Sequence, residues 1–129
     1  MTVCLDSWAV LEWLKGGEPA ATRVDEALGE RPLMSWINVG EVFYVITRAA
    51  GKDMATEVVA DLQARASLEV PGADRVLEAA AIKASFPMAY ADAFAVATAL
   101  AHDATLLTGD PEILGGFRSW RTEDLRPVR

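Results

Sequence analysis

Short apolar runs alternate with segments of helical periodicity along the whole chain, and this alternation restricts the fold more than any other feature. Residues 2–5 form an apolar run too short for a helix and without helical period, which reads as a buried strand. Further strands are expected at 32–36, 68–70 and 104–108, with an edge strand at 119–122. Between them lie helical patterns. Residues 7–14 end at Gly16-Gly17, and a second helix runs from Glu18-Pro19 to about Leu28 with Gly29 as its stop. A third opens at Asn38 and carries Val39, Val42, Phe43 and Ile46 at i, i+3, i+4, i+7 before Gly51. A fourth covers about 53–66, a fifth follows Pro71-Gly72 with Ala73, Val76, Leu77, Ala80, Ala81 and Ala84, and a sixth spans 90–102. Asp110-Pro111-Glu112 opens a last short turn of helix. Strands separated by helices cannot be joined as hairpins, so the expected fold is α/β. It has a central parallel sheet of about four to five strands flanked by helices on both faces.

The chain of 129 residues reads as one domain, 1–129, and at 52% hydrophobic residues it buries a core without staples. The longest uncharged apolar stretch, 93–101, is too short to span a bilayer, and the N-terminus lacks the basic patch of a signal peptide. The single cysteine, Cys4, excludes an internal disulfide and fits a reducing cytoplasm; inside an apolar strand it is expected to be buried and inert. One Cys and one His cannot build a structural zinc site.

Four acids fall at predicted element junctions: Asp6, Glu41, Asp92 and Asp110. Each has a local explanation. Asp6 and Asp110 suit N-caps, the latter with Pro111 at N1. Asn38 and Glu41 have capping-box spacing, and Asp92 suits the positive end of a helix dipole. Jointly they say more. In an open parallel sheet the carboxyl ends of the strands share one edge, and the following helices begin there, so the four carboxylates converge on one crevice. Convergent carboxylates repel unless a hard cation lies among them, and all-oxygen ligation suits Mg²⁺ or Mn²⁺. Phosphate chemistry is the first expectation for such a site. Ser7 and Thr108 stand beside it as hydroxyls able to orient a carboxylate, and Asn38 adds an amide near the same crevice.

Other chemistries find little support. His102 is the only histidine, at a helix C-terminus, with no Ser or Cys in a nucleophile turn. Gly16-Gly17 and Gly115-Gly116 lack the lysine and spacing of a phosphate loop. Trp8, Trp13, Trp36 and Trp120 read as core or interface packing. A net charge of −7 argues against a general nucleic-acid-binding surface, although two bound divalent ions would offset more than half of it. Basic residues crowd the C-terminus as Arg118, Arg121, Arg126 and Arg129.

Four stretches resemble one known family. They are Val3-Cys4-Leu5-Asp6-Ser7, Asn38-Val39-Gly40-Glu41-Val42, Tyr90-Ala91-Asp92-Ala93-Phe94-Ala95-Val96-Ala97 and Leu106-Leu107-Thr108-Gly109-Asp110-Pro111. In this order and spacing they resemble the PIN domain, and most closely the VapC-type ribonuclease toxins of toxin–antitoxin pairs. The resemblance spans residues 2–111. It implies Asp6, Glu41, Asp92 and Asp110 as an acidic metal site, with Thr108 at the usual Ser/Thr position. It implies Mg²⁺- or Mn²⁺-dependent cleavage of single-stranded RNA, leaving 5′-phosphate and 3′-hydroxyl ends. It also implies a cognate antitoxin, a homodimer, and contact with operator DNA only through the antitoxin. Arg48, Lys52, Lys83 and the C-terminal arginines are candidates for gripping RNA, and Trp8 and Trp13 for lining a groove that holds an apolar antitoxin helix. The rivals are a non-toxin PIN nuclease in RNA processing and a receiver-like signalling domain. The latter needs a lysine after a late strand, where this chain has Thr108-Gly109-Asp110.

Overall fold

The structure is a computed structural model that describes residues 2–116 and 118–128; Arg129, the last of the C-terminal arginines, lies outside the described residues. In chain order the elements are β1 (Val3–Leu5), α1 (Ser7–Lys15), α2 (Ala20–Leu28), β2 (Leu33–Ser35), α3 (Trp36–Ala50) and α4 (Lys52–Arg65). They continue with β3 (Ser67–Glu69), α5 (Ala73–Ser85), α6 (Tyr90–Ala101), β4 (Thr105–Thr108), α7 (Pro111–Leu114) and β5 (Thr122–Asp124). The strands make one sheet in the order β3-β2-β1-β4-β5, and every neighbouring pair is parallel. Parallel pairing follows from the helix inserted between successive strands.

Strand alternation sorts the core into two layers. Val3, Leu5, Met34 and Leu107 face one side, against Val10 of α1, Val24 of α2, Val39 and Val42 of α3, and Val58 and Leu62 of α4. Cys4 and Leu106 face the other, against Ala79 of α5 and the run Ala93–Ala97 of α6. Both faces of β1 and β4 are therefore covered, which is why these strands read as unbroken apolar runs. The Cys4 thiol is fully buried, as expected, and burial holds it well above its ordinary pKa. Alanines in α6 let it lie close to the sheet, and its face is buried from Asp92 to Ala99. Among the described residues no single helix is long and apolar enough to cross a membrane.

Local chemistry places the helix ends. Gly16 closes α1 in the left-handed region, φ 76°, where its N–H reaches the carbonyls of Glu12 and Trp13. Asp6 and Asp110 cap α1 and α7 as their positions predict, with Pro111 at N1. Two expectations need correction. The third helix starts at Trp36, not Asn38: Ser35 Oγ accepts from Ile37 N at 3.2 Å and is the cap. Asn38 is thus inside the helix, and Glu41 lies in the second turn rather than the first. The edge strand is Thr122–Asp124, not 119–122. Trp120 is buried, set edge-on to Phe86 at 4.9 Å, and its Nε1 donates to the Ile113 carbonyl, so its segment packs rather than pairs. Pairing begins where Leu106 N donates to the Arg121 carbonyl at 2.9 Å.

Candidate metal centre

β1 has β2 on one side and β4 on the other, so the chain reverses its winding direction between β1 and β4. The carboxyl edge at such a switch point opens a crevice. Asp6 leaves β1 and Thr108 ends β4 at this point. The β1–β4 register pairs Leu5 with Leu107, which brings Asp6 beside Thr108 across 102 positions of sequence. The Thr108 hydroxyl donates to Asp6 Oδ2 and accepts from the Asp110 N–H at 3.0 Å. Asp6 Oδ1 accepts from Ala9 N at 2.8 Å. One buried carboxylate therefore caps a helix and still faces the crevice.

Glu41 enters from α3, and Ser7 Oγ donates to its Oε1 at 2.5 Å. Asp92 enters from the first turn of α6, which packs against α3, β1, β2 and β4. Asp110 caps α7 through Glu112 N at 2.8 Å. Oxygens of Asp92, Asp110 and Glu112 lie within 4.8 Å of one another, a separation that one cation can bridge. Asp92 and Asp110 are thus brought within reach of one cation together with Glu112, while Asp6, bonded to Thr108, and Glu41 are not in that group but are near enough to act on it through their charges. Glu112 is an addition that the sequence reading passed over as part of a helical turn; an acid at the second position of a helix capped by Asp110 was the available signal.

The electrostatics are those of crowded acids. The Asp6 carboxyl is pushed up to about 7, first by burial and then by the charges of Asp110 and Glu41, against hydrogen bonds from Thr108 and Ala9 that favour ionisation. Asp92 is also raised, first by burial, then by the charge of Asp110 and a hydrogen bond shared with it, then by Glu41 and Asp6. An oxygen-only donor set held in this state fits a hard divalent cation, whose charge would remove the repulsion. Gly109 sits between Thr108 and Asp110 because a Cβ there would lie 2.2 Å from Trp8 Cζ2. The Trp8 indole thus packs directly against the turn that presents Asp110.

The expected basic grip is only partly available. Arg121 pairs with Asp103 and Arg126 with Asp124, while Arg118 lies over the rings of Phe86 and Trp120. Lys52 and Lys83 are exposed, and Arg48 is exposed with its guanidinium over Tyr44 at 5.1 Å. Trp8 and Trp13 are half-buried against the core, with Trp13 Nε1 donating to Asp25. His102 caps the far end of α6 and contacts Glu69 at 3.0 Å, in a network with Arg75 unconnected to the acids.

Fold and site together define a parallel α/β domain with an acidic, cation-fitting centre at its topological switch point. The chain belongs to the PIN domain family of nucleases, whose profile matches residues 3–114. Solved structures agree in fold. A chain of the promoter-DNA-bound VapBC2 complex of Rickettsia felis superposes with a TM-score of 0.75 at 14% identity, covering 98% of this chain and 100% of that one. A chain of the DNA-bound VapBC complex of Salmonella typhimurium gives 0.76 at 16%, covering 96% and 98%. The VapC20 toxin of Mycobacterium tuberculosis, which cleaves the sarcin–ricin loop, gives 0.74 at 18%, covering 93% and 99%. No curated protein matches the chain in sequence.

Proposed function

We propose that this protein is a divalent-metal-dependent endoribonuclease acting on single-stranded RNA, and the toxin of a VapBC-type toxin–antitoxin pair. The observation that carries the reading is the convergence of Asp6, Glu41, Asp92 and Asp110 on one crevice, with the carboxyls of Asp6 and Asp92 held above their ordinary range. Bound Mg²⁺ or Mn²⁺ would supply a Lewis acid for the phosphoryl oxygens and an activated water at neutral pH. The chain's own residues do the rest. Asp6, Asp92 and Asp110 present ligand oxygens from three rigid element ends, and Glu41 completes the set from α3. The Thr108 hydroxyl fixes the rotamer of Asp6 and the backbone of Asp110 at once. Ser7 does the same for Glu41. No histidine base is used, since His102 is engaged at the opposite end of α6.

The reading extends to partners. Likeness to chains of DNA-bound VapBC complexes supports a cognate antitoxin. A homodimer, with operator DNA reached through the antitoxin, completes the proposed assembly. The protein is expected to act in the cytoplasm as one nuclease domain, 1–129. Incubation with single-stranded RNA tests the chemistry: cleavage requires Mg²⁺ or Mn²⁺ and stops in EDTA. Undiminished cleavage in EDTA would remove the metal mechanism. Growth after induction without a partner tests the toxin role; growth equal to the uninduced control leaves a nuclease that is not a toxin.

A further inference from the structure

Asn38 is fully buried in α3, one helical turn before Glu41. Its Nδ2 donates to the carbonyl of Ala91 at 3.0 Å, and Ala91 immediately precedes Asp92. The amide therefore lies between the two helices that deliver Glu41 and Asp92. Its other end is unusual. Oδ1 is enclosed and has no hydrogen-bond partner among the described residues. A buried carbonyl oxygen left without a donor is destabilising, and such exceptions need a reason. Core filling does not supply one, because an aliphatic side chain would fill the same space with no stranded oxygen. Tying α3 to α6 does not supply one either, because that bond uses only the nitrogen. What is missing is a donor, and the carboxylates that α3 and α6 deliver, Glu41 and Asp92, are acceptors when ionised. A hydrated divalent cation held by those acids brings donors with it, since Mg²⁺ retains several of its waters when bound by a few carboxylates.

We propose that Asn38 is a positioning residue of the acidic centre: Nδ2 fixes the start of α6, and with it Asp92, while Oδ1 accepts a hydrogen bond from a water in the hydration shell of the bound cation. The inference rests on the metal-nuclease reading above. It assigns the two halves of one amide different tasks, one toward the protein and one toward the ion, as outer-shell partners of metal sites commonly have.

The two tasks separate by substitution. Asn38→Ala removes both. Asn38→Asp keeps an acceptor oxygen in place but loses the donor to Ala91. Mn²⁺ affinity is measured by calorimetric titration, melting temperature in EDTA, and kcat and KM on single-stranded RNA. Both variants melt below the wild type. Asn38→Ala binds Mn²⁺ about tenfold more weakly, with kcat lowered similarly and KM for RNA unchanged, whereas Asn38→Asp holds its Mn²⁺ affinity within about threefold of wild type. Wild-type Mn²⁺ affinity in a folded Asn38→Ala, or equal loss in both variants, would overturn the proposal and reduce Asn38 to a helix tie. If Asn38→Ala does not fold, Asn38→Leu, which fills the volume without an acceptor, replaces it under the same criteria. A wild type that binds no Mn²⁺ overturns the metal-nuclease reading itself, and this inference with it.

Discussion

Replacing Asp6 by Asn separates a shared cation site from a set of independent helix caps. Asn is as good a cap as Asp, and its oxygen can still accept from Ala9 N, so the local role survives. What disappears is the burden of a charge buried among other acids. The Asp6 carboxyl rises from 3.8 to about 7 on folding. The folded state therefore holds a proton that the unfolded chain has lost between those values, and metal-free stability falls as pH rises through that window. Stability is full below pH 3.8, and the loss is complete above about 7. At about 1.4 kcal/mol per pH unit the whole window corresponds to about 4 kcal/mol. Relaxation and water entry in a cation-free crevice trim such a penalty, so about 2 kcal/mol is expected at pH 8. For a chain of this length that is ~7 °C in melting temperature. The assay is a set of paired melts in EDTA from pH 4 to pH 8. Asp6→Asn should melt above the wild type at pH 8, and the difference should shrink towards zero near pH 4. Saturating Mg²⁺ should raise the wild type and barely move the variant. A variant that melts at or below wild type at pH 8, or a difference independent of pH, would refute convergence of the acids as the cause.

Other outcomes follow from the same geometry. Asp110→Asn should relieve toxicity in induced cultures less completely than Asp6→Asn, because Asp110 is half-exposed and Asp6 is buried; equal relief would contradict this. Gly109→Ala should destabilise by about 1–3 kcal/mol through collision with the Trp8 ring, and the loss should be markedly smaller in a Trp8→Ala background, as a double-mutant cycle of melts would read. Glu69, held down at about 2 mainly by its hydrogen bonds from Arg75, contributes stability above pH 4.5 that is lost as pH falls through about 2. Glu69→Gln should cost about 1 kcal/mol at neutral pH, allowing for solvent screening, and nothing near pH 2. Acid titration of the two proteins measures it.

The fold class was legible because its signals are local. Apolar runs of strand length, helical stripes such as Val39, Val42, Phe43 and Ile46, and stops at Gly16, Gly29 and Gly51 depend on residues within a turn or two of one another. The caps Asp6 and Asp110 were legible for the same reason. The misplacements arose where two local signals competed. Ser35 and Asn38 are both able to start a helix; the structure uses Ser35 as the cap, and Asn38 lies inside the helix with its amide bonded to the Ala91 carbonyl. Trp120 made 119–122 resemble a strand, but an indole that large is buried against Phe86 in the layer beside the sheet. The true edge strand, Thr122–Asp124, is half-exposed and carries no apolar run to mark it.

What the sequence by itself determined is the kind of site: oxygen ligands at element ends, with hydroxyls beside them and no rival nucleophile. Which oxygens meet, and in what state, belonged to the tertiary structure. Strand order is decided by which apolar faces bury against which helices, and no local pattern specifies it. Only that order sets β4 beside β1 and brings Thr108 to Asp6, only helix packing sets α3 against α6 and strands the Asn38 oxygen between them, and only the resulting burial pushes the carboxyls of Asp6 and Asp92 upward. Desolvation and mutual repulsion are properties of the closed crevice, which does not exist until the chain has folded.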